Sequence, residues 1–93
     1  MSTNEPLSMD DLASRLREQR LALNLTQAEF AEACGVKRRA QAAYEAGERV
    51  PDAGYLLHAG RLGADLKYLL TGVASNDAER ERLGVDWLIR TLC

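Results

Sequence analysis

The stretch TQAEFAEACGVKRRAQAAYEAG, residues 26–47, decides the fold. It contains a helix start, a stop, a second start and a second stop in close succession. Thr26 is a capping residue, and Glu29 three positions on completes a capping box. The helix begun there runs to Cys34 and stops at Gly35, a residue suited to a left-handed C-terminal position. After Gly35, Val36 and Lys37 a second helix begins, which runs to Ala46 and ends at Gly47. Two helices joined by a three- or four-residue turn containing Gly are the sequence form of a helix-turn-helix, a spacing that plain αα-hairpins share.

The contents of the second helix narrow the choice. Its first turn carries Lys37, Arg38 and Arg39, although cations at a helix N-terminus oppose the macrodipole at about 0.3–1 kcal/mol each. A helix selected only for stability would place Asp or Glu there. A nucleic-acid phosphate or a guanine edge would reward the charge, since Arg donates paired hydrogen bonds to either. Ala40, Ala42 and Ala43 follow, short enough to let the helix sink into a groove about 12 Å wide. On charge alone, a solvated cationic turn on an alanine-rich core helix remains open.

Outward from this unit, the chain reads as helices throughout. It has 93 residues, enough for one compact core, with 46% hydrophobic but only 5% aromatic residues. The core must therefore come mainly from Leu and Ala, both strong helix formers. Residues 1–8, with Pro6, read as a loose arm. Ser8 or Asp10 can cap a first helix with the stripe Leu12, Leu16, Leu23, ending at Asn24. Beyond Pro51, Asp52 caps a helix through AGYLLHAGRL, closed by Gly63, and Asp65 caps LKYLL, ended by Thr71 and Gly72. Gly54 and Gly60 weaken the fourth of these helices without evident reason. A linker and a sixth candidate helix, from about Asp77 to Thr91 and carrying Gly84, occupy residues 73–93. Residues 9–72 are expected to form the folded domain.

Several classes of function are disfavoured. The longest uncharged runs are too short to span a bilayer, and the N-terminus is acidic where a signal peptide is basic, so a cytoplasmic protein is expected. Two distant cysteines, Cys34 and Cys93, and the lone His58 offer neither a disulfide framework nor a metal site. No cofactor and no catalytic group is expected. With 12 basic against 14 acidic residues, a polyanion could be held only by one local basic face.

From about Leu12 to Gly72 the chain resembles the Cro/CI-type (XRE-like) helix-turn-helix family of phage and bacterial regulators. The resemblance rests on RLREQRLALNLTQAEFAEACGV, then YEAGERVP, then LGADLKYLLTG, in the family's order and spacing. It implies an all-α, lambda-repressor-like fold of five helices, here with a C-terminal sixth. It also implies a sequence-specific DNA-binding regulator, most readily a repressor of phage or prophage type on a palindromic operator. Carried across, Gln27 opens the second helix, where relatives contact a phosphate or support a base contact. Arg38 and Arg39 fall on the base-reading positions, Ala42 and Ala43 face the groove, and Arg49 falls where relatives place a cation on the DNA backbone or in the minor groove. Arg20 and Glu45 match a pair that bridges the first and third helices in several relatives.

There are departures. Lys37 replaces the usual Ser or Thr cap of the third helix, leaving it frayed or in contact with phosphate. Gln41 replaces a branched core residue and either hydrogen-bonds inside or turns toward DNA; it is counted among the candidate contacts. No self-cleaving peptidase domain is accommodated in 93 residues. Leu83, Val85, Trp87, Leu88, Ile89 and Leu92 form a broad apolar band, expected to serve a homodimer through Leu83, Trp87, Leu88 and Leu92. Glu29 and Glu32 could touch polymerase in an activator. The alternative of another class is an antitoxin or antirepressor, whose helix-turn-helix binds a protein partner.

Overall fold

The computed structural model describes residues 9–76 and residue 78. Those residues form five helices and no strand: α1 Met9–Ala22, α2 Gln27–Ala33, α3 Arg38–Glu45, α4 Ala53–Leu62 and α5 Leu66–Thr71. The sixth candidate helix lies outside the described residues.

Local chemistry sets the boundaries. The Thr26 hydroxyl accepts from the Glu29 amide at 3.1 Å, and the Glu29 carboxylate accepts from the Thr26 amide at 2.9 Å, closing the capping box of α2. Asp52 caps α4 through the Tyr55 amide at 2.8 Å, and Asp65 caps α5 through the Tyr68 amide at 3.1 Å. For α1 the expectation of an Asp10 cap fails: the helix already includes Met9, so Asp10 sits in its first turn. Ser8, the other candidate, lies outside the described residues. The exposed Asn24 ends α1 with φ of 61°, a conformation Asn tolerates better than most residues.

Gly35 and Gly47 are the two stops that make the unit compact. At Gly35 φ is +77°, and the Val36 amide reaches back to the Ala31 carbonyl at 2.9 Å. Gly47 repeats the arrangement with φ of +78° and Glu48 bonded to Ala43 at 2.9 Å. A Cβ on Gly47 would also lie 2.9 Å from the Asp10 carboxylate, so the α3 exit passes close to α1. Nothing in the structure explains Gly54, which is exposed in the first turn of α4.

Helices this short are marginal alone and are held by packing. Helix α2 packs on α3, α1 on α3 and α5, and α4 on α2 and α5. Leu16, Phe30 and Leu69 are fully buried at the centre, joined by Cys34, Tyr44, Tyr55, Ala59 and Ala64. Leu12, Leu23 and Leu25 close the core from the α1 side. Polar ties hold α5 to α1: the Arg15 guanidinium donates to the Leu69 carbonyl at 3.0 Å, and the Tyr68 hydroxyl donates to Glu18 at 2.7 Å.

Candidate nucleic-acid interface

Helix α3 divides its side chains cleanly. Gln41 and Tyr44 turn inward and are buried, and Ala40 packs partly buried against the core. Ala40 shares this intermediate exposure with Ala42 and Ala43. Lys37, Arg38 and Arg39 are all exposed at its N-terminus, and among the described residues none has an ion-pair partner. Ala42 and Ala43 lie half-buried in the middle of the helix. The result is an accessible cationic end followed by short side chains.

Lys37 takes the N-cap position of α3 with extended φ and ψ of −82° and 155°, but its side chain makes no cap hydrogen bond. Helices α2, α4 and α5 each have a side-chain cap. The helix with positive charge at its positive end thus also lacks a side-chain cap hydrogen bond there, so both local terms disfavour it.

Behind that surface stands a buried polar network. Arg20 grips Glu45 with Nε at 2.7 Å and Nη2 at 3.0 Å, while its Nη1 donates to the Leu25 carbonyl at 2.8 Å. The two side chains are only 8% and 3% exposed. Gln41 donates to Glu45 at 2.6 Å and accepts from the Tyr55 hydroxyl at 2.5 Å. Gln41 cannot reach a groove from there, which corrects its place among the candidate DNA contacts. A Gln in a core must satisfy its amide, and the Glu45 carboxylate and Tyr55 hydroxyl do so from opposite ends. No buried side-chain polar atom among the described residues lacks a partner.

Ionisation follows from this geometry. Burial pushes the Glu45 pKa up, but the hydrogen bonds from Arg20, Gln41 and Gln27 prevail and the net shift is downward. The hydrogen bond to Glu45 raises Arg20. Burial also raises the Tyr55 hydroxyl, and it raises the Cys34 thiol to about 11, so Cys34 is a protonated core side chain at neutral pH.

Gln27 is the first residue of α2, half-buried, and its amide donates to Glu45 at 3.3 Å. It is thereby tied to the α3 side of the unit. Arg49 lies in the segment after α3 and is exposed, with its guanidinium 5.5 Å from the centre of the Tyr44 ring. Sequence reasoning misses that stack, and it misses Tyr55 as the donor to Gln41. A Tyr and an Arg five positions apart across a glycine stop are the available signal for the stack. Of the acidic residues considered for polymerase, Glu29 is engaged in the α2 cap, and Glu32 is exposed. His58 is exposed and joins none of these arrangements.

The dimer candidates Leu83, Trp87, Leu88 and Leu92 lie outside the described residues. Among the described residues there is no group of His, Cys, Asp and Glu placed to hold a metal ion. No helix among them is long and apolar enough to cross a membrane.

Comparison with known proteins agrees with the geometry over the central elements. Residues 16–57 match the family model described as Helix-turn-helix, a span from the middle of α1 into α4 that includes all of α2, the turn and α3. No curated protein and no solved structure matches the chain. The matched span, with its capped α2, glycine stop and cationic α3, supports a helix-turn-helix domain of the Cro/CI (XRE-like) type, and with it a DNA-binding transcription regulator.

Proposed function

We propose that the chain is a repressor of phage or prophage type that binds a palindromic operator as a homodimer, in the cytoplasm, by inserting α3 into the major groove. Lys37, Arg38 and Arg39, exposed at the start of α3 and without an ion-pair partner among the described residues, carry this reading. They are local liabilities in the free protein, and a duplex supplies the charge they lack. Arg38 and Arg39 read base edges, Lys37 and Arg49 bind phosphate, and Gln27 supports the contact from α2. Ala42 and Ala43 let the helix approach and can touch a thymine methyl. Repression follows from occupancy that excludes polymerase, with no catalytic step.

A gel-shift series on the promoter beside the protein's own gene tests the reading. The variants Arg38→Ala and Arg39→Ala should each weaken binding by about 1–3 kcal/mol and relax preference at one base position. A double variant that binds like the wild type would overturn the assignment of α3.

A further inference from the structure

The segment leaving α3 turns sharply at Gly47 and returns along the helix end, so that Arg49 comes to lie over Tyr44. Tyr44 is 6% exposed, and its ring meets Tyr55 at 4.8 Å between centroids, inclined by 66°. Phe30 supports Tyr55 in turn, at 6.2 Å. The ring is therefore a fixed surface of the core. The Arg49 guanidinium sits 5.5 Å from its centre, within the range in which a cation is attracted to an aromatic face. Among the described residues Arg49 has no carboxylate partner, so the ring is its anchoring contact.

We propose that Tyr44 is a positioning residue for DNA-backbone binding: it holds Arg49 in an ordered place at the C-terminal end of α3 before DNA arrives. An arginine on a loop otherwise loses side-chain freedom when it grips a phosphate, and a partner that restricts it beforehand lowers that cost. The aromatic face suits this purpose better than a carboxylate would. It restrains the guanidinium without neutralising it, so both charge and donors remain available to a phosphate. The proposal rests on the DNA-binding reading above and deepens it.

Because a phosphate contact does not depend on sequence, the probe is a fluorescein-labelled duplex of mixed sequence, titrated across a range of salt concentrations. Wild type, Tyr44→Phe, Tyr44→Leu, Arg49→Ala and the Tyr44→Leu, Arg49→Ala double variant are compared. Arg49→Ala should lower the salt slope by about one. Tyr44→Phe, which keeps the ring, should bind like wild type. Tyr44→Leu should lose about two- to fivefold in affinity, the fold-change that matches an exposed cation–π contact, and should lose nothing further once Arg49 is absent. A Tyr44→Leu loss of equal size with and without Arg49 reflects folding alone and overturns the proposal, as does an unchanged salt slope in Arg49→Ala.

An NMR measurement on the wild type keeps the question open to refutation if Tyr44→Leu does not fold. The Arg49 Cδ protons should be displaced upfield by the ring current, and unstructured values would overturn the stack. A wild type that does not bind the duplex at all brings down the DNA-binding reading and this proposal with it. A wild type that binds, but without the coupling, brings down the proposal alone.

Discussion

Glu45 shows how one side chain can join an internal scaffold to a surface. Its carboxylate accepts from Arg20 of α1, Gln27 of α2 and Gln41 of its own helix, so three helices are registered at one charge. Truncating one partner strands the other in a site with almost no water, whereas removing both strands none. Arg20→Ala or Glu45→Ala should each cost about 3–5 kcal/mol in urea unfolding. The double variant should cost much less than their sum, and additive losses would show the pair to be uncoupled. The same site has a pH signature. Burial works against the charged form of Glu45, yet its three donors leave its pKa below the ordinary 4.5. A pKa depressed by folding stabilises the protein above the unfolded value and ceases to do so as pH falls through the folded one. Wild type should therefore lose stability on acidification below 4.5 more steeply than Glu45→Gln, which has no proton to take up there. Equal slopes for the two proteins would remove Glu45 from the acid transition.

At the scale of the element, α3 is built against its own stability, and that can be measured. Its cap residue is Lys37, with the extended backbone of an N-cap and no side-chain acceptor to offer the free amides. Lys37→Ser supplies the acceptor and removes a cation from the positive helix end. It should raise stability by about 0.5–2 kcal/mol, chiefly through the cap, while weakening and flattening the salt dependence of duplex binding. If stability fell and binding stayed the same, Lys37 would be a structural residue and not a DNA contact. The contrast with the other helices also marks what is legible in the sequence. Caps at Thr26, Asp52 and Asp65 and stops at Gly35 and Gly47 act within a few residues, so their chemistry is written in local order. Exposed cations on α3 are legible for the same reason. The fate of Gln41 is not, because its second partner, Tyr55, is fourteen positions away on another helix. The Arg15 bond to the Leu69 carbonyl spans 54 positions and involves a backbone atom, for which residue type carries no signal.

For the whole molecule, the decisive quantity is how much DNA one copy can read. A domain of five short helices presenting one α3 covers only a few base pairs, and each mismatch costs about 1–3 kcal/mol, too little to select one site in a genome. Two copies related by a two-fold axis, with their α3 helices about 34 Å apart, double the sequence that is read. Leu69 is fully buried in the core, and Arg15, Glu18 and Gln19 tie α5 and its cap to α1. Ser75 then binds Asp65 through its amide and its hydroxyl, both at 2.8 Å, which directs the chain as it leaves α5. The C-terminal residues 77–93 carry the apolar Leu83, Trp87, Leu88 and Leu92. Pairing of two chains through this segment is the use we propose for it. A chain ending at Asn76 keeps the Ser75 bonds and should remain folded, with urea unfolding close to that of the intact protein. In sedimentation at micromolar concentration the intact chain should be a dimer and the shortened one a monomer. The shortened chain should also bind a palindromic operator far more weakly, while a single half-site duplex should separate the two proteins little. An intact chain that sediments as a monomer, or a shortened one that dimerises and binds the palindrome equally well, would place the pairing surface elsewhere.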